Sequence, residues 1–342
     1  MNAVELCYIQ PLSNLWLPKN TLDNTSFSPY CLTNNRTIIS SLLDPNMVEY
    51  MGKTFGTAEA IIYLNGTYQM EDIVSKELSV DYFEKQAYMF LIALWIIRDH
   101  TISLLRSLFK RSLVDSHADY TYYPYGQRYF DSAGRSLKQT EYTLEDIRVA
   151  GEYYHDYLPH LNTASYEATS HTVTFVPTEF DNTSTRLSRF VHLLNHARTI
   201  YDIGLKLALF CSCLECLFSN KGDKQDVTLR VAQRTALFLE AIPCKRRSVF
   251  KDVKDAYSLR SNVLHGGKID KKLPELERVC VQTDSVLRKV FAMILNSRSS
   301  TVDYFKLFTT DDTQLQEHLD HLVFDTRPYS GTVDNLNWLP NT

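Results

Sequence analysis

The chain has 342 residues, of which 44% are hydrophobic, 22% charged and 12% aromatic, and its formal net charge is −4. This composition is typical of globular proteins with one or two domains, so collagen-like, disordered and disulfide-stapled miniprotein classes are excluded. The slightly negative charge also argues against a protein that is uniformly coated in positive charge for nucleic-acid binding. With only 11 glycines and 11 prolines, long helices are expected.

The cysteines and the apolar runs indicate the cellular compartment in which the protein is expected. Seven cysteines form an odd set, and Cys211, Cys213 and Cys216 crowd into six residues, which indicates core packing rather than disulfides or a metal site. The N-terminus lacks the pattern of a signal peptide, and the apolar runs 89–97 and 205–218 are too short or carry charges. The sequence therefore predicts a cytoplasmic protein with no membrane association.

Residues 1–80 mix turn signals with short extended runs and predict an α+β region. Within it, the runs 60–64 and 67–70 flank Asn65-Gly66, which is typical of a β-hairpin. From 81 to 113 apolar residues recur at intervals of three and four, which predicts one long or broken helix.

Residues 115–140 predict a tyrosine-rich loop. Six aromatic residues and Arg128 lie between positions 120 and 130, where they either stack on bases or a trigger molecule, or close a hairpin or dimer contact; the second interpretation is favoured. A helix start is predicted at Thr143, a strand at 171–176 and a helix cap at 182–184.

From residue 185 to 298 nearly all of the sequence has helical spacing. Four helices are predicted, at 185–218, 226–241, 245–265 and 274–296, and four helices indicate a bundle. The predicted organisation is a mainly α protein with an N-terminal α+β region at 1–180, a helical bundle at 185–298 and a tail at 299–342. The tail contains one short helix near 313–322.

The predicted helix at 245–265 carries an arginine among its apolar residues. Val253, Tyr257 and Leu264 recur at helical intervals, and Arg260 falls in the same stripe, so its charge faces inward. An unpaired buried charge costs several kcal/mol or more. The guanidinium therefore needs a carboxylate, a phosphate or a solvent-filled cleft.

His265 follows Arg260 by five residues. Gly266-Gly267 comes next and is expected to end the helix in a left-handed cap, which leaves the imidazole in the last turn, where the helix dipole favours its protonated form. Ser261 lies one turn before His265 and its hydroxyl is placed to orient the ring, while Asn262 adds an amide nearby.

Spacing alone does not identify this pair. Four other arginines precede a histidine at a similar distance: Arg111/His117, Arg148/His155, Arg186/His192 and Arg189/His196. The last pair, Arg260/His265, differs in its context, because it combines a helix end, a double glycine and an arginine on an apolar face.

The sequence from Tyr257 to Gly267, Tyr-Ser-Leu-Arg-Ser-Asn-Val-Leu-His-Gly-Gly, resembles the C-terminal motif of Apea-like HEPN domains. Residues 214–218, Leu-Glu-Cys-Leu-Phe, and 229–236, Leu-Arg-Val-Ala-Gln-Arg-Thr-Ala, are similar to the first and second helix signatures of that family and occur in the same order. The resemblance covers residues 185–298, about a third of the chain.

The resemblance implies a HEPN-type bundle that forms a homodimer, in which Arg260 and His265 of both chains converge on one RNA phosphate. It implies a metal-independent endoribonuclease without a cofactor, which cleaves by attack of the ribose 2′-hydroxyl and leaves a 2′,3′-cyclic phosphate and a 5′-hydroxyl. His265 would transfer protons and Arg260 would stabilise the transition-state charge, with Tyr257, Ser261 and Asn262 as supporting residues.

The resemblance further implies a biological role in anti-phage abortive infection by cleavage of transfer RNA. The N-terminal region would then sense a phage-derived or nucleotide trigger, or position the substrate.

The local charge is compatible with RNA binding. Residues 221–272 carry thirteen lysines and arginines against six acidic residues. Lys245, Arg246, Arg247 and Lys268 flank the motif helix and are the candidate RNA-binding residues, although a charge run is equally typical of a solvated face.

Glu215 and Arg234 lie on apolar helices and are expected to form a structural ion pair between the first and second helices, rather than to act in catalysis.

Three functions of the bundle remain open, and the endoribonuclease is the first. A non-catalytic HEPN module that binds RNA, a nucleotide or a partner protein is the second reading of the bundle. A metal hydrolase built on His192 and His196 is the third, although the residues between them lack the glutamate of a zincin.

Overall fold

The computed structural model describes residues 3–18, 25–27, 30–69, 80–113, 118–122, 126–161, 185–220, 223, 226–241, 246–265, 273–299, 302–310 and 312–324. The chain divides into two compact units. Unit 1 comprises Met1–Asp131 and Arg135–Pro159, and unit 2 comprises Ser132–Gly134 and His160–Thr342. The protein is mainly helical with an antiparallel sheet in unit 1, so the expected class, mainly α with an N-terminal α+β region, is confirmed.

Unit 1 is built on one antiparallel sheet whose order is β3-β4-β5-β1-β7-β8, with β6 also paired to β1. Its strands are β1 (Ala3–Ser13), β3 (Thr25–Phe27), β4 (Tyr30–Thr33), β5 (Ala60–Gln69), β6 (Ser103–Leu104), β7 (Leu108–Leu113) and β8 (Ala118–Tyr122). Two further strands, β2 (Leu15–Trp16) and β9 (Thr140–Glu141), form a separate parallel pair.

Helices cover both faces of this sheet. They are α1 (Arg36–Leu42), α2 (Pro45–Thr57), α3 (Val80–Ile97) and α4 (Leu144–Asp156). On one face Ile39, Met47 and Phe55 of α1 and α2 pack on Ile9 and Ile61. On the other face the ring of Phe83 in α3 stacks on Tyr8 at 5.2 Å. Because both faces are covered, β1 is buried from residue 6 to residue 12 instead of alternating.

The predicted hairpin at 60–70 is wrong. Strand β5 runs through Asn65-Gly66 without turning and pairs antiparallel with β1 from Ala3↔Gln69 to Leu12↔Ala60. The long pairing with a central, buried strand stabilises the extended chain more than a two-residue turn does, because an isolated hairpin is only marginally stable.

The predicted helix at 81–113 is also wrong in its second half, because α3 ends at Ile97 and residues 108–113 form β7. Buried His100 stabilises the turn that follows: its Nε2 donates to the carbonyl of Leu91 (2.9 Å), and its Nδ1 accepts from the amide of Ile102 (3.1 Å). The apolar residues beyond this turn are buried against β1. They do not form a helix, although their spacing in the sequence is helical.

The tyrosine-rich segment is not wholly a loop. Tyr120 and Tyr122 lie on β8, which pairs with β7, and their rings stack at 6.2 Å. The Tyr120 hydroxyl donates to Oδ2 of Asp44 (2.8 Å), and Tyr129 is buried against Tyr88. The described tyrosines of the cluster therefore pack within their own unit, in agreement with the favoured hairpin interpretation.

Two of the remaining predictions for this region lie outside the described residues, namely the strand at 171–176 and the cap at 182–184. The helix start at Thr143 is confirmed: its hydroxyl accepts from the Asp146 amide (3.1 Å), and the Asp146 carboxylate accepts from the Thr143 amide (2.8 Å). This reciprocal capping box satisfies two amides that a helix start leaves unpaired.

Unit 2 is a bundle. Its helices are α5 (Arg186–Thr199), α6 (Ile203–Phe218), α7 (Val227–Phe238), α8 (Arg246–Leu264), α9 (Leu273–Leu295), α10 (Tyr304–Thr309) and α11 (Asp312–Phe324). Helix α6 is central and contacts α5, α7, α8 and α9. The helices of the tail pack on the same bundle, because α10 contacts α5 and α9 while α11 contacts α7.

The predicted helix at 185–218 is two helices. Ile200 has extended backbone angles (φ −97°, ψ 130°), and the Asp202 side chain caps α6 by accepting from the Leu205 amide (2.9 Å). The four-helix count is therefore too low. No helix in the described ranges is long and apolar enough to cross a membrane.

Two glycines give a matched test of the packing of unit 1. A Cβ on Gly126 would lie 2.3 Å from the Leu104 carbonyl oxygen, whereas a Cβ on Gly56, in α2, would meet nothing within 4 Å. We expect Gly126→Ala to lower the free energy of unfolding by about 1–3 kcal/mol, because backbone must move. Gly56→Ala should raise it by about 0.5–1 kcal/mol.

The measurement is urea unfolding of the full chain followed by tryptophan fluorescence, to which Trp16 and Trp95 of unit 1 contribute. Equal effects of the two substitutions would contradict the close backbone approach at Gly126.

Candidate active site

Arg260 forms an ion pair with Glu215, which joins α8 to α6. Nη1 of the arginine donates to Oε1 of the glutamate at 2.6 Å. The two side chains are 27% and 29% exposed, so the pair lies at the edge of the bundle rather than in its core. The inward-facing arginine therefore has a carboxylate partner, one of the three surroundings that the sequence required.

The Arg260 guanidinium retains unused donors. Its Nε is buried and has no hydrogen-bond partner within the described residues. Its carbon Cζ lies 5.7 Å from the centre of the Tyr257 ring, one turn earlier on α8. Side chains on a helix lean towards its N-terminus, and this brings the guanidinium over Tyr257 and away from the helix end.

Tyr257 connects this pair to the core. The ring is buried, and the hydroxyl donates to the Cys211 carbonyl at 3.5 Å. Burial, reinforced by the nearby Glu215 carboxylate, raises the pKa of Tyr257 well above its usual value, so it remains a neutral phenol. Burial likewise raises the pKa of the Cys211 thiol to about 12, so this cysteine packs as an unreactive apolar side chain.

His265 is exposed directly after the last residue of α8. Its backbone amide still donates to the Ser261 carbonyl at 3.0 Å, so the backbone continues the helical hydrogen bonding. Leu264, which the sequence placed in the apolar stripe, is about half exposed, because the stripe leaves the bundle in this last turn. Gly266 and Gly267, the expected cap, lie outside the described residues.

No described contact joins His265 to Arg260, Ser261 or Asn262 through their side chains. Ser261 is exposed and Asn262 is half-buried. On an ideal helix, residues five apart are separated by about 7.5 Å along the axis and about 140° around it. Arg260, Glu215 and Tyr257 thus form one cluster, and His265 stands apart from it on the same helix.

The expected ion pair between Glu215 and Arg234 is wrong, because each residue has another partner. Arg234 is 2% exposed and donates to the Phe218 carbonyl (2.9 Å), to both carboxylate oxygens of Asp223 and to Asp320 on α11 (3.1 Å). Burial disfavours the charged form of Asp223, but hydrogen bonds from Arg234 and the Asn220 amide outweigh it and lower its pKa. Arg234 is thus structural, and it also fixes the tail helix.

The candidate RNA-binding residues are described only in part. Arg246 and Arg247 are exposed at the start of α8 and, with Phe250 and residues of α7, line a cavity of about 520 Å³. Arg246 also lies 3.5 Å from the carboxylate of Glu240. Lys245 and Lys268 lie outside the described residues.

His192 and His196 lie together on α5, as their spacing predicted. Their Nε2 atoms are 3.0 Å apart, a distance at which one ring donates a hydrogen bond to the other. Among the described residues, no group of three or more histidine, cysteine or acidic side chains is arranged to hold a metal ion.

Comparison with protein-family models, with curated proteins and with solved structures finds no match for this chain. The resemblance to Apea-like HEPN domains therefore depends on the three sequence motifs.

Sequence reasoning missed the partners of Arg234. Asp223 precedes it by eleven positions and Asp320 follows it by 86, so no helical spacing links the three residues. The only available signal was the arginine itself, which lies on the buried face of an amphipathic helix.

Arg230 supplies a matched control for Arg234, because both bind Asp223 but Arg230 is 51% exposed. We expect Arg234→Ala to lower the free energy of unfolding by about 3–5 kcal/mol, because it removes the buried partner of Asp223 and leaves that buried carboxylate with only the exposed Arg230. Arg230→Ala should cost about 0–1 kcal/mol. Urea unfolding followed by circular dichroism measures both, and similar losses for the two variants would contradict a structural role specific to Arg234.

Proposed function

We propose that unit 2 is a metal-independent endoribonuclease in which Arg260 and His265 act on an RNA phosphate. The observation that carries the proposal is the partly exposed Arg260, a charged group that one carboxylate holds in place without using all of its donors. A guanidinium has five N–H donors in a planar fork that suits phosphate oxygens.

Glu215 orients Arg260 for this role. Since the pair is partly exposed, its attraction is screened by water, and an RNA phosphodiester anion approaching from solvent adds to the contacts of the guanidinium. The cation–π contact with Tyr257 limits the positions that the guanidinium can adopt. Tyr257 and Glu215 are therefore positioning residues.

The reaction needs one group that moves protons and one that stabilises charge. A neutral imidazole of His265 accepts the proton of the ribose 2′-hydroxyl as its oxygen bonds to phosphorus, and a protonated imidazole donates to the departing 5′-oxygen. Arg260 stabilises the negative charge on the phosphoryl oxygens in the transition state. The products are a 2′,3′-cyclic phosphate and a 5′-hydroxyl.

A homodimer would bring together Arg260 and His265, which lie apart within one chain. Within one chain, Arg260 leans towards Tyr257 and away from the helix end where His265 lies. A second α8 that packs against the first would bring the histidine of one protomer near the arginine of its partner. We therefore propose that the active site is shared between two chains.

The basic start of α8 supports RNA as the substrate. Arg246 and Arg247 provide exposed positive charge beside an apolar cavity, and phosphate contacts of this kind supply most of the non-specific affinity for nucleic acid. We extend the proposal to a cytoplasmic location and to transfer RNA cleavage in anti-phage defence, as the sequence resemblance implies.

The same ion pair favours a second candidate function, a non-catalytic module that binds RNA, a nucleotide or a partner protein. In that case Arg260 serves only to join α8 to α6 through Glu215, and His265 is an ordinary surface histidine. Substitution of His265 separates the two, because it leaves the ion pair intact.

We expect His265→Ala to reduce RNA cleavage by a factor of about 10² to 10⁴ with nearly normal stability, because the side chain is exposed at a helix end. Arg260→Ala should reduce the rate comparably and also lower the free energy of unfolding by about 1–3 kcal/mol, because it frees Glu215. The assay follows 2′,3′-cyclic phosphate ends on labelled RNA in excess EDTA.

The matched controls are His117→Ala, His155→Ala, His192→Ala and His196→Ala, which share the bare spacing with an arginine. Loss of cleavage in a control, with His265→Ala active and folded, would refute the site. Loss in EDTA that zinc or manganese reverses would favour the metal hydrolase at His192 and His196.

The shared site also predicts oligomeric state. We expect a dimer in sedimentation velocity at micromolar concentration. We also expect mixing of inactive Arg260→Ala and His265→Ala chains to restore part of the activity, because a mixed dimer brings one intact Arg260 and one intact His265 to the shared site. A fully active monomer would contradict the shared site.

A further inference from the structure

Unit 1 contains a cavity of about 550 Å³ that the proposed function does not use. Its lining comes from the end of β1, the last turns of α2, the segment 103–106 and two loop segments at 126–128 and 136–137. Lys53, Arg106 and Arg128 are its charged residues, and none of the described residues that line it is acidic. The volume lies in the range of small-molecule sites.

The three cations lack the described partners that most other basic residues of unit 1 have. No described carboxylate lies within ion-pairing distance of Lys53, Arg106 or Arg128. By contrast, ion pairs or carbonyl hydrogen bonds engage Arg36, Arg98, Lys110, Arg111, Arg135 and Arg148. Like charges gathered around one cavity repel each other unless an anion enters.

The helix end beside the cavity does not cancel this charge. Helix α2 ends at Thr57, and a helix C-terminus carries roughly half a negative charge. Three full positive charges exceed it several-fold, so the cavity remains an anion-attracting site.

Neutral donors complement the cations. The hydroxyls of Ser13, Thr54 and Ser136 line the cavity and have no hydrogen bond to a described residue, so they are available to phosphate oxygens. The hydroxyls of Ser103 and Thr57, in contrast, already bond to backbone groups.

The wall of the cavity is held rigidly. Asn14 has a positive φ of 64°, which is uncommon for a residue other than glycine. Its amide donates to the carbonyls of Thr101 (3.0 Å) and Ser136 (2.9 Å), which compensates for this backbone conformation. Such local strain clusters at binding sites, and a fixed wall lowers the entropic cost of binding.

We propose that this cavity binds a small ligand through a diphosphate or triphosphate group. The three cations and three free hydroxyls match several phosphate oxygens. The described lining is mainly basic and polar, so the polyphosphate is the group that we expect it to recognise. This site is separate from Arg260 and His265, and its test does not depend on RNA cleavage.

The experiment is isothermal titration calorimetry of the full chain at low ionic strength, with inorganic triphosphate, ATP and inorganic phosphate as the ligands. We expect triphosphate and ATP to bind with dissociation constants within about threefold of each other, and inorganic phosphate to bind about tenfold or more weakly, because it reaches fewer of the cations.

Arg106→Gln and Arg128→Gln should each weaken triphosphate binding about tenfold, the loss of one charge-assisted hydrogen bond. Lys138→Gln is the matched control, because Lys138 is exposed in the same unit and also lacks a described ion-pair partner but does not line the cavity. It should leave binding unchanged, and circular dichroism confirms that each variant folds.

Three outcomes would overturn the proposal. They are the absence of triphosphate and ATP binding at millimolar concentration, binding of ATP without triphosphate, and an equal loss of affinity in Lys138→Gln. Weaker binding of a single-stranded RNA in Arg106→Gln and Arg128→Gln, with triphosphate binding unchanged, would assign the surface to nucleic acid instead.

Discussion

The structure of unit 2 depends on one constraint, which is that helix α6 has no polar face. Its sixteen residues include two charged side chains, Lys206 and Glu215, and nine of the sixteen are buried. Its large buried apolar side chains are Leu207, Phe210, Leu214 and the last two residues of the helix. Their burial contributes on the order of 10 kcal/mol to the stability of the folded state. That is comparable with the whole net stability of a typical domain, so α6 must be surrounded.

The two charges of α6 must then be satisfied from its neighbours. Lys206 is fully buried, and its Nζ donates to the Ala197 carbonyl at the end of α5 (2.6 Å). Glu215 lies at the edge of the bundle and takes Arg260 from α8. Close packing of α8 on α6 is possible because Gly204 has no side chain where Val263 approaches it. The burial of α6 thus fixes the position of the arginine on which the proposed function depends.

Some elements of the fold were predicted accurately from the sequence and others were not, and the difference has physical reasons. Helices α8 and α9 were predicted to within one or two residues, because each has one polar face and so a clear period. The predicted helix at 81–113 failed because the second half of α3 is apolar and buried on all sides, and a continuous apolar run has no period that marks where the helix ends. The Arg260 and His265 motif came from local context, whereas the cavity of unit 1 gathers segments far apart in the sequence.

A comparison of two arginines in unit 2 indicates which of them is available for chemistry. Arg234 bonds through both terminal nitrogens to two carboxylates and a carbonyl, and it has almost no exposed surface. A phosphate could reach it only by displacing these groups and unfolding the tail from the bundle. Arg260 bonds to one carboxylate through one terminal nitrogen and keeps about a quarter of its side chain exposed. Donors already paired inside the protein contribute nothing to a ligand. In the proposed reaction we therefore expect the phosphate to bind Arg260, and we expect substitution of Arg234 to affect cleavage only through stability.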